Sequence, residues 1–239
     1  MTLLHGVTSS GKTEVYIHLI EETIKQGKQV LYLVPEIALT TQLTDRLQAV
    51  FGKQLLVYHS RFSNAERVEI YREVRGEELE VRGKVILGAR SAIFLPFKDL
   101  GLIIVDEEHE PSYKQQDPAP RYHARSAAIM MASWYGAKVL LGTATPSVES
   151  YHNAMSGKYG LVEMRERFKG LQLPRITLVD LQRQYHRKEM YGHFADPVVF
   201  RIREEIAKGK QVILFQNRRG YSPYLQCPNC GEVPKCPNC

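Results

Sequence analysis

The chain has 239 residues, of which 44% are hydrophobic and 24% are charged, so it is long enough for one large domain or two ordinary ones. Its net charge of +6 favours a polyanionic partner without requiring one. No apolar run is long enough to cross a bilayer, and the N-terminus lacks the layout of a secretory signal. These features predict a cytoplasmic protein without a membrane partner, in which cysteines are reduced thiols or metal ligands.

Short apolar runs alternate with amphipathic stretches through the first two thirds of the chain. The predicted strands are LLHG, QVLYLV, LLVYH, VILG, LIIV and VLLG, and the predicted helices follow Lys12 and cover about Ile37 to Phe51 and Asn64 to Arg75. Strands separated by helices of ten to fifteen residues indicate βαβ units and a parallel sheet. Because the strands are almost continuously apolar, we expect helices on both faces of that sheet.

The alternation loosens between about residues 156 and 173, which predicts a domain boundary near residues 165–173. A second unit is expected to follow, with a strand at RITLVDL after Pro174, a helix from about Asp196 to Lys208, and a strand at QVILFQN. The last thirteen residues contain all four cysteines.

A phosphate-binding loop is predicted at the junction of the first strand and the first helix. GVTSSGKT fits the pattern G-x-x-x-x-G-K-[ST] in full, and its residues are Gly6, Val7, Thr8, Ser9, Ser10, Gly11, Lys12 and Thr13. Such a loop directs backbone N–H groups and a helix N-terminus at phosphate oxygens. Lys12 is expected to reach the β- and γ-phosphates of ATP, and the Thr13 hydroxyl to hold Mg²⁺. The alternative is a glycine- and serine-rich turn with an incidental lysine.

A carboxylate pair follows the apolar run LIIV. Asp106 is expected to complete the Mg²⁺ site, and Glu107 to orient and deprotonate the attacking water. Glu108 is expected to be a solvated side chain. The alternative for the whole group is a solvated acidic turn.

The order of these motifs resembles that of superfamily 2 helicases. GVTSSGKT resembles motif I, and DEEH resembles motif II. VPEIALTTQ (Val34 to Gln42) resembles motif Ia, GARSAIF (Gly88 to Phe94) resembles motif Ib, and GTATPS (Gly142 to Ser147) resembles motif III. Together with SYKQQ…RYHAR, LFQNRRGY and CPNCG…CPNC, they resemble the PriA (primosomal protein N′) family of replication-restart helicases, which are DEAD/DEAH-like. Ser9 departs from that family, which more often has glycine there.

The resemblance implies an α/β fold of two RecA-like lobes with ATP between them and single-stranded DNA across their tops. It places helicase lobe 1 at residues 1–168, the N-terminal part of lobe 2 at residues 169–226, and a truncated zinc-binding segment at residues 227–239. By motif position, Pro35, Arg90 and Ser91 are expected at the DNA, and Thr143 and Thr145 between the DNA and nucleotide sites. His109 is expected to sense the γ-phosphate. A turn proline and a surface arginine are the alternatives for Pro35 and Arg90.

The implied activity is that of an ATP-dependent 3′–5′ DNA helicase in replication restart and primosome assembly at stalled forks. Its implied partners are single-stranded and forked DNA, other primosome proteins and single-stranded DNA-binding protein. The alternatives are another superfamily 2 DNA translocase, or a zinc-dependent DNA-binding module with a vestigial phosphate loop.

The loop after DEEH has its own physical interpretation. Three prolines keep it out of regular structure, because each lacks a backbone donor and restricts the preceding residue. Tyr113 and Tyr122 are predicted to stack on unpaired bases, and Lys114, Arg121 and Arg125 to contact phosphates. The alternative is a surface loop whose tyrosines pack on their own lobe.

Cys227, Cys230, Cys236 and Cys239 form the pattern C-x2-C-x5-C-x2-C, which is typical of Zn²⁺ ligands. The five-residue gap is short for one shared ion. The resembling helicases have eight such cysteines around two interleaved zinc ions, which implies that each pair here is half of a site and that the sequence is a fragment. Motif VI, with its arginine, has no counterpart here, and Arg218 and Arg219 are not expected to replace it. We therefore expect this chain to bind ATP but to hydrolyse it poorly.

Overall fold

The computed structural model describes residues 1–59, 62–76, 83–170, 174–215 and 229–230. The chain divides into two compact units, Met1–Gln172 and Leu173–Cys239. This division falls inside the stretch at residues 165–173 in which the sequence pattern predicts a boundary.

The first unit is an alternation of strands and helices. Its strands are β1 (Thr2–Gly6), β2 (Gln29–Leu33), β3 (Leu55–Tyr58), β4 (Val85–Gly88), β5 (Leu100–Asp106), β6 (Lys138–Thr143) and β7 (Gly160–Met164). Its helices are α1 (Lys12–Lys25), α2 (Thr41–Phe51), α3 (Asn64–Arg75), α4 (Ala124–Tyr135) and α5 (Val148–Met155). In the described part of the chain, no helix is long and apolar enough to span a membrane.

The seven strands form one sheet in the order β3-β4-β2-β5-β6-β1-β7, and every pair in it is parallel. The predicted α/β fold with a mainly parallel sheet is therefore confirmed. All strands end at the same edge, so the loops after β1, β5, β6 and β7 lie near one another. Ligands of open parallel sheets bind at this carboxyl edge.

Alternate residues of the strands enter two hydrophobic cores, one on each face of the sheet. In β2, Leu31 and Leu33 belong to one core, while Val30 and Tyr32 belong to the other. The first core also contains buried residues of α3, α4 and α5, and the second contains those of α1 and α2. Coverage of both faces explains why the central strands are apolar at successive positions.

Side-chain caps decide where two of the helices begin. The capping box of Ser63 and Glu66 begins α3 at Asn64, as predicted. In contrast, the expected helix from Ile37 is wrong at its start. A short 3₁₀ turn covers Glu36–Ala38, and α2 begins only after Thr40, whose hydroxyl accepts a hydrogen bond from the Leu43 N–H.

The second unit contains α6 (Leu181–His186), β8 (Met190–Tyr191), β9 (Phe194–Ala195) and α7 (Asp196–Ala207). Helix α7 matches its prediction, and β8 and β9 form an antiparallel pair. The strands predicted at RITLVDL and QVILFQN are wrong over residues 175–180 and 211–215, which pair with no strand in the described part of the chain; residues 216 and 217 lie outside it. Two of their apolar side chains, Leu178 and Ile213, are more than 90% exposed.

Candidate functional site

The loop between β1 and α1 has the backbone conformation that a phosphate-binding loop requires. Ser9 and Gly11 both lie in the left-handed region, with φ of 63° and 90°. A Cβ at Gly6 would lie 2.7 Å from the Ser10 Oγ and 2.9 Å from the Lys12 Cγ, so only glycine leaves room for these side chains. Serine at position 9 adopts a conformation that costs about 1 kcal/mol for a residue other than glycine.

Lys12 folds back over this loop. Its Nζ donates to the Gly6 carbonyl at 2.8 Å. The Ser10 Oγ is buried and has no hydrogen-bond partner. A cavity of about 460 Å³ opens here, lined by Thr8, Ser9, Ser10, Gly11, Lys12, Thr13, Glu14, Arg46, Asp106, Glu107 and Phe168. The structure thus brings the loop and the first two carboxylates of DEEH to one cavity.

The Asp106 carboxylate is held by two tyrosines that the sequence analysis did not identify. The Tyr16 hydroxyl donates to Oδ1 at 2.9 Å, and the Tyr32 hydroxyl donates to Oδ2 at 3.3 Å. Burial raises the pKa of Asp106 above its ordinary value, while the hydrogen bond from Tyr16 opposes this rise. Burial also raises the pKa of both tyrosines, so they remain hydrogen-bond donors at neutral pH. The sequence around Tyr16 shows only a helical hydrophobic pattern and gives no sign of this role, because Asp106 is ninety residues away along the chain.

Glu107, His109, Thr143 and Thr145 form a polar network that joins DEEH to GTATPS. The Thr143 hydroxyl lies 2.8 Å from the His109 Nδ1 and 3.4 Å from the Glu107 Oε2, to which it donates. The Thr145 N–H donates to the same hydroxyl at 3.0 Å, and its own hydroxyl lies 3.3 Å from the His109 Nε2. Glu107 has a φ of 46°, in the left-handed region that residues other than glycine seldom adopt, and such strained residues cluster at functional sites.

Glu108 is not the solvated side chain that the sequence suggested. It is fully buried and forms a salt bridge with Arg125 of α4, whose side chain is 14% exposed. The Ser147 N–H and the Ser147 and Ser150 hydroxyls also donate to its carboxylate. The prediction that Arg125 contacts DNA phosphates is therefore wrong, because its guanidinium joins DEEH to α4 inside the unit.

Two of the residues predicted to bind DNA are buried. Tyr113 is 1% exposed, and its hydroxyl donates to the Asp106 carbonyl at 2.6 Å. Its ring belongs to the core and has no free face for a base, so the stacking prediction is wrong for Tyr113, and the alternative of packing on its own lobe is correct there. Pro35 is also buried, and its carbonyl accepts hydrogen bonds from the Ala38 and Leu39 N–H groups. Pro35 therefore shapes a turn and offers no exposed surface to a DNA strand.

The other residues predicted to bind DNA surround the loop after DEEH. The Arg90 guanidinium donates to the carbonyls of Ser112 and Lys114, at 3.2 and 3.3 Å. The Lys114 Nζ donates to the Arg121 carbonyl at 2.6 Å, which closes the loop. Ser91 is half-buried in the adjoining 3₁₀ turn, and the Arg121 side chain is exposed. Arg90 therefore supports the loop, whereas Arg121 offers a charge to solvent.

Tyr122 lies beside a second aromatic residue, Phe94, which the sequence analysis did not single out. The two rings are 4.8 Å apart between centroids in an edge-to-face arrangement. Phe94 is 64% exposed, and Tyr122 is half-buried. An aromatic pair with one exposed ring, next to arginine and lysine side chains, has the composition of a surface that stacks unpaired bases.

Two further residues line the phosphate-loop cavity without a motif to mark them. Arg46 of α2 pairs with Glu14 in the first turn of α1. Phe168, which follows β7, is 67% exposed. Only the packing of α2 and β7 against α1 and β1 brings them there.

The zinc prediction falls almost wholly outside the described residues. Cys227, Cys236 and Cys239 lie outside them, and Cys230 is exposed. Arg218 and Arg219 also lie outside the residues that the structure describes. Within the described ranges there is no group of three or more His, Cys, Asp or Glu side chains that would hold a metal ion.

Residues 1–154 match the family model of the DEAD/DEAH box helicases. The chain belongs to this family. The parallel sheet, the GVTSSGKT loop and the DEEH sequence of the chain agree with that assignment. Among solved structures, RecG bound to a three-way DNA junction is similar over 87% of this chain and 25% of its own, with a TM-score of 0.57 and 22% identity. That likeness shows a shared fold.

The chain is also similar over nearly its whole length to curated proteins named replication restart protein PriA. It is 45% identical to the protein of Bacillus subtilis and 43% identical to that of Haemophilus influenzae, over 99% of the chain in each case. The PriA resemblance is thus confirmed. The chain spans 29% and 31% of the lengths of these two relatives.

Proposed function

We propose that this chain is the ATP-binding motor lobe, with part of the second lobe, of a PriA-type replication-restart helicase. The observation that carries the proposal is the meeting of Lys12, Asp106 and Glu107 at one cavity on the carboxyl edge of the sheet. The motor would act as an ATP-dependent 3′–5′ DNA helicase on stalled forks in the cytoplasm.

The residues of the cavity fit a magnesium nucleotide. The loop offers backbone N–H groups, the Lys12 ammonium and the unpartnered Ser10 hydroxyl, which are donors suited to phosphate oxygens. Thr13 and Asp106 are oxygen ligands of the kind that Mg²⁺ prefers, and both line the cavity. When bound, Mg²⁺ supplies positive charge that stabilises the phosphate oxygens during transfer. Tyr16 and Tyr32 orient the Asp106 carboxylate toward this role.

Glu107 is the proposed base that orients water and accepts its proton. Thr143 donates to the Glu107 carboxylate and contacts His109, so a displacement of one side chain changes the hydrogen bonds of the other two. His109 is proposed to sense the γ-phosphate. Thr143 and Thr145 carry that information into the segment that leads to α5.

The proposed DNA surface is the aromatic pair Phe94 and Tyr122 with the neighbouring basic loop. Unpaired bases would stack on the two rings, and Arg121 would face the DNA backbone. Arg90 and Lys114, with Ser91 beside them, would hold the loop in place for this contact. This surface is joined to the hydrolytic residues through Tyr113, whose hydroxyl bonds to the Asp106 carbonyl. Forked and single-stranded DNA, other primosome proteins and single-stranded DNA-binding protein are the proposed partners.

The second unit is proposed to be the beginning of a second RecA-like lobe, and the four cysteines to bind Zn²⁺ in a structural role. Zinc analysis of the purified chain, before and after Cys227→Ser with Cys230→Ser, tests the second idea. Zinc retained undiminished by that double variant would refute it.

The nucleotide site is tested by equilibrium binding of Mg·ATP to the chain and to Lys12→Ala. Loss of a charge-assisted hydrogen bond is expected to weaken binding about ten- to a hundredfold. Lys25→Ala is the matched control, because this lysine ends α1 with its side chain 75% exposed. Equal affinity of wild type and Lys12→Ala would refute the proposal. Hydrolysis of the bound ATP by this chain is expected to be slow.

A further inference from the structure

The segment after β7 is tied directly to the phosphate loop. In the register of β1 with β7, Gly6 lies opposite Met164. Beyond the strands, the Val7 N–H donates to the Met164 carbonyl at 3.1 Å, and the Phe168 N–H donates to the Ser9 carbonyl at 2.8 Å. Two backbone hydrogen bonds therefore set the position of Phe168 relative to the loop.

The Phe168 side chain has no place in either hydrophobic core. It is 67% exposed and lines the phosphate-loop cavity, where it is the sole aromatic side chain among the described lining residues. The Lys169 Nζ lies 5.4 Å from the centroid of its ring. A bulky apolar ring at the mouth of a polar cavity offers a surface for contact with an apolar part of a ligand.

The strand order decides which part of a nucleotide reaches Phe168. Asp106 and Glu107 follow β5, and β6 and β1 separate them from β7. A triphosphate whose terminal end faces Asp106 and Glu107, and whose middle is held by the loop after β1, must direct its nucleoside end away from β5. The segment after β7 is on that side. Of the other residues that line the cavity, Glu14 and Arg46 are paired with each other.

We infer that Phe168 stacks on the base of the bound nucleotide, with Lys169 beside the ring. This inference rests on the proposed nucleotide site and extends it from the phosphates to the base. An aromatic ring stacks on any base, so Phe168 is expected to favour base-bearing nucleotides over inorganic triphosphate without a strong choice between ATP and GTP.

The test compares Mg·ATP with Mg·tripolyphosphate, which has no base, by equilibrium binding to wild type, Phe168→Ala and Phe168→Trp. Phe168→Ala is expected to weaken ATP binding about tenfold and to leave tripolyphosphate binding unchanged, as base–aromatic stacking energies indicate. Phe168→Trp is expected to restore ATP binding. Phe200→Ala, which removes a ring that is 70% exposed in the second unit, is the matched control and is expected to bind ATP normally.

The outcomes separate this inference from the proposed function. If Phe168→Ala changes neither ligand, or weakens both equally, the stacking role is refuted while the phosphate site stands. If wild type binds neither ligand, the nucleotide site and the stacking role are both refuted. Circular dichroism of each variant checks that the fold is retained.

Discussion

Replacement of Glu108 by glutamine is expected to destabilise the first unit strongly, although glutamine has the same shape. The change leaves Arg125 buried without a counter-charge, and breaking a buried ion pair from one side typically costs 3–5 kcal/mol. Because the Arg125 side chain retains 14% exposure, we expect a loss of about 3 kcal/mol, at the lower end. For a unit of this size, that loss corresponds to a fall in Tm of about 6–12 °C.

The assay is denaturant unfolding of Glu108→Gln, Arg125→Met and the double variant, followed by circular dichroism. Arg125→Met alone is expected to cost a similar amount, because Glu108 then remains buried with only the donors of Ser147 and Ser150. The double variant is expected to lose clearly less than the sum of the two single losses. If the losses add to within about 0.5 kcal/mol, the two side chains are not coupled and the reasoning is wrong.

Two further predictions concern Gly142 and His123. A Cβ at Gly142 would lie 1.8 Å from the Tyr16 Oη, so Gly142→Ala is expected to lower the free energy of unfolding by about 1–3 kcal/mol. Gly160→Ala is the control and is expected to be nearly neutral, because the atom nearest to its Cβ would be at 3.4 Å. Equal losses of the two variants in denaturant unfolding would contradict this prediction. Burial lowers the pKa of His123 in the folded chain. As the pH falls below about 6.5, the unfolded chain therefore takes up a proton before the folded chain does. The free energy of unfolding falls over this range, until the pH passes the lowered pKa of the folded state. Between about pH 7.5 and 5.5, His123→Asn is expected to reduce this fall in the free energy of unfolding. An unchanged pH profile for His123→Asn would contradict the prediction.

The parts of the site that sequence reasoning located are those in which the chemistry is contiguous. The phosphate loop needs its glycines, its lysine and its threonine at successive positions, and the strand before it and the helix after it are each visible in the hydrophobic pattern. Asp106 was located because it follows an apolar strand, and every strand of a parallel sheet ends at the edge where the loop lies. Local rules sufficed for these residues, and also for the start of α3 at its capping box.

The roles of the remaining side chains depended on partners far away in the chain. Tyr113 and Tyr122 look alike in the sequence, yet one ring is in the core beneath Asp106 and the other lies against Phe94 near the surface. No local pattern separates them, because burial depends on which element packs above a loop. The same applies to the strands predicted in the second unit, whose apolar residues have no pairing partner among the described residues.

The amino-acid sequence alone therefore predicted the parallel α/β fold from its hydrophobic pattern. It also located the G-x-x-x-x-G-K-[ST] loop and the acidic residues that line the same cavity, since each of these motifs consists of adjacent residues. Tertiary structure alone decided that Glu108 pairs with Arg125 inside the unit and that Phe168 lies beside the loop. The physical reason is distance along the chain. A buried ion pair and a ring at a cavity mouth arise from elements that meet only when the sheet has assembled.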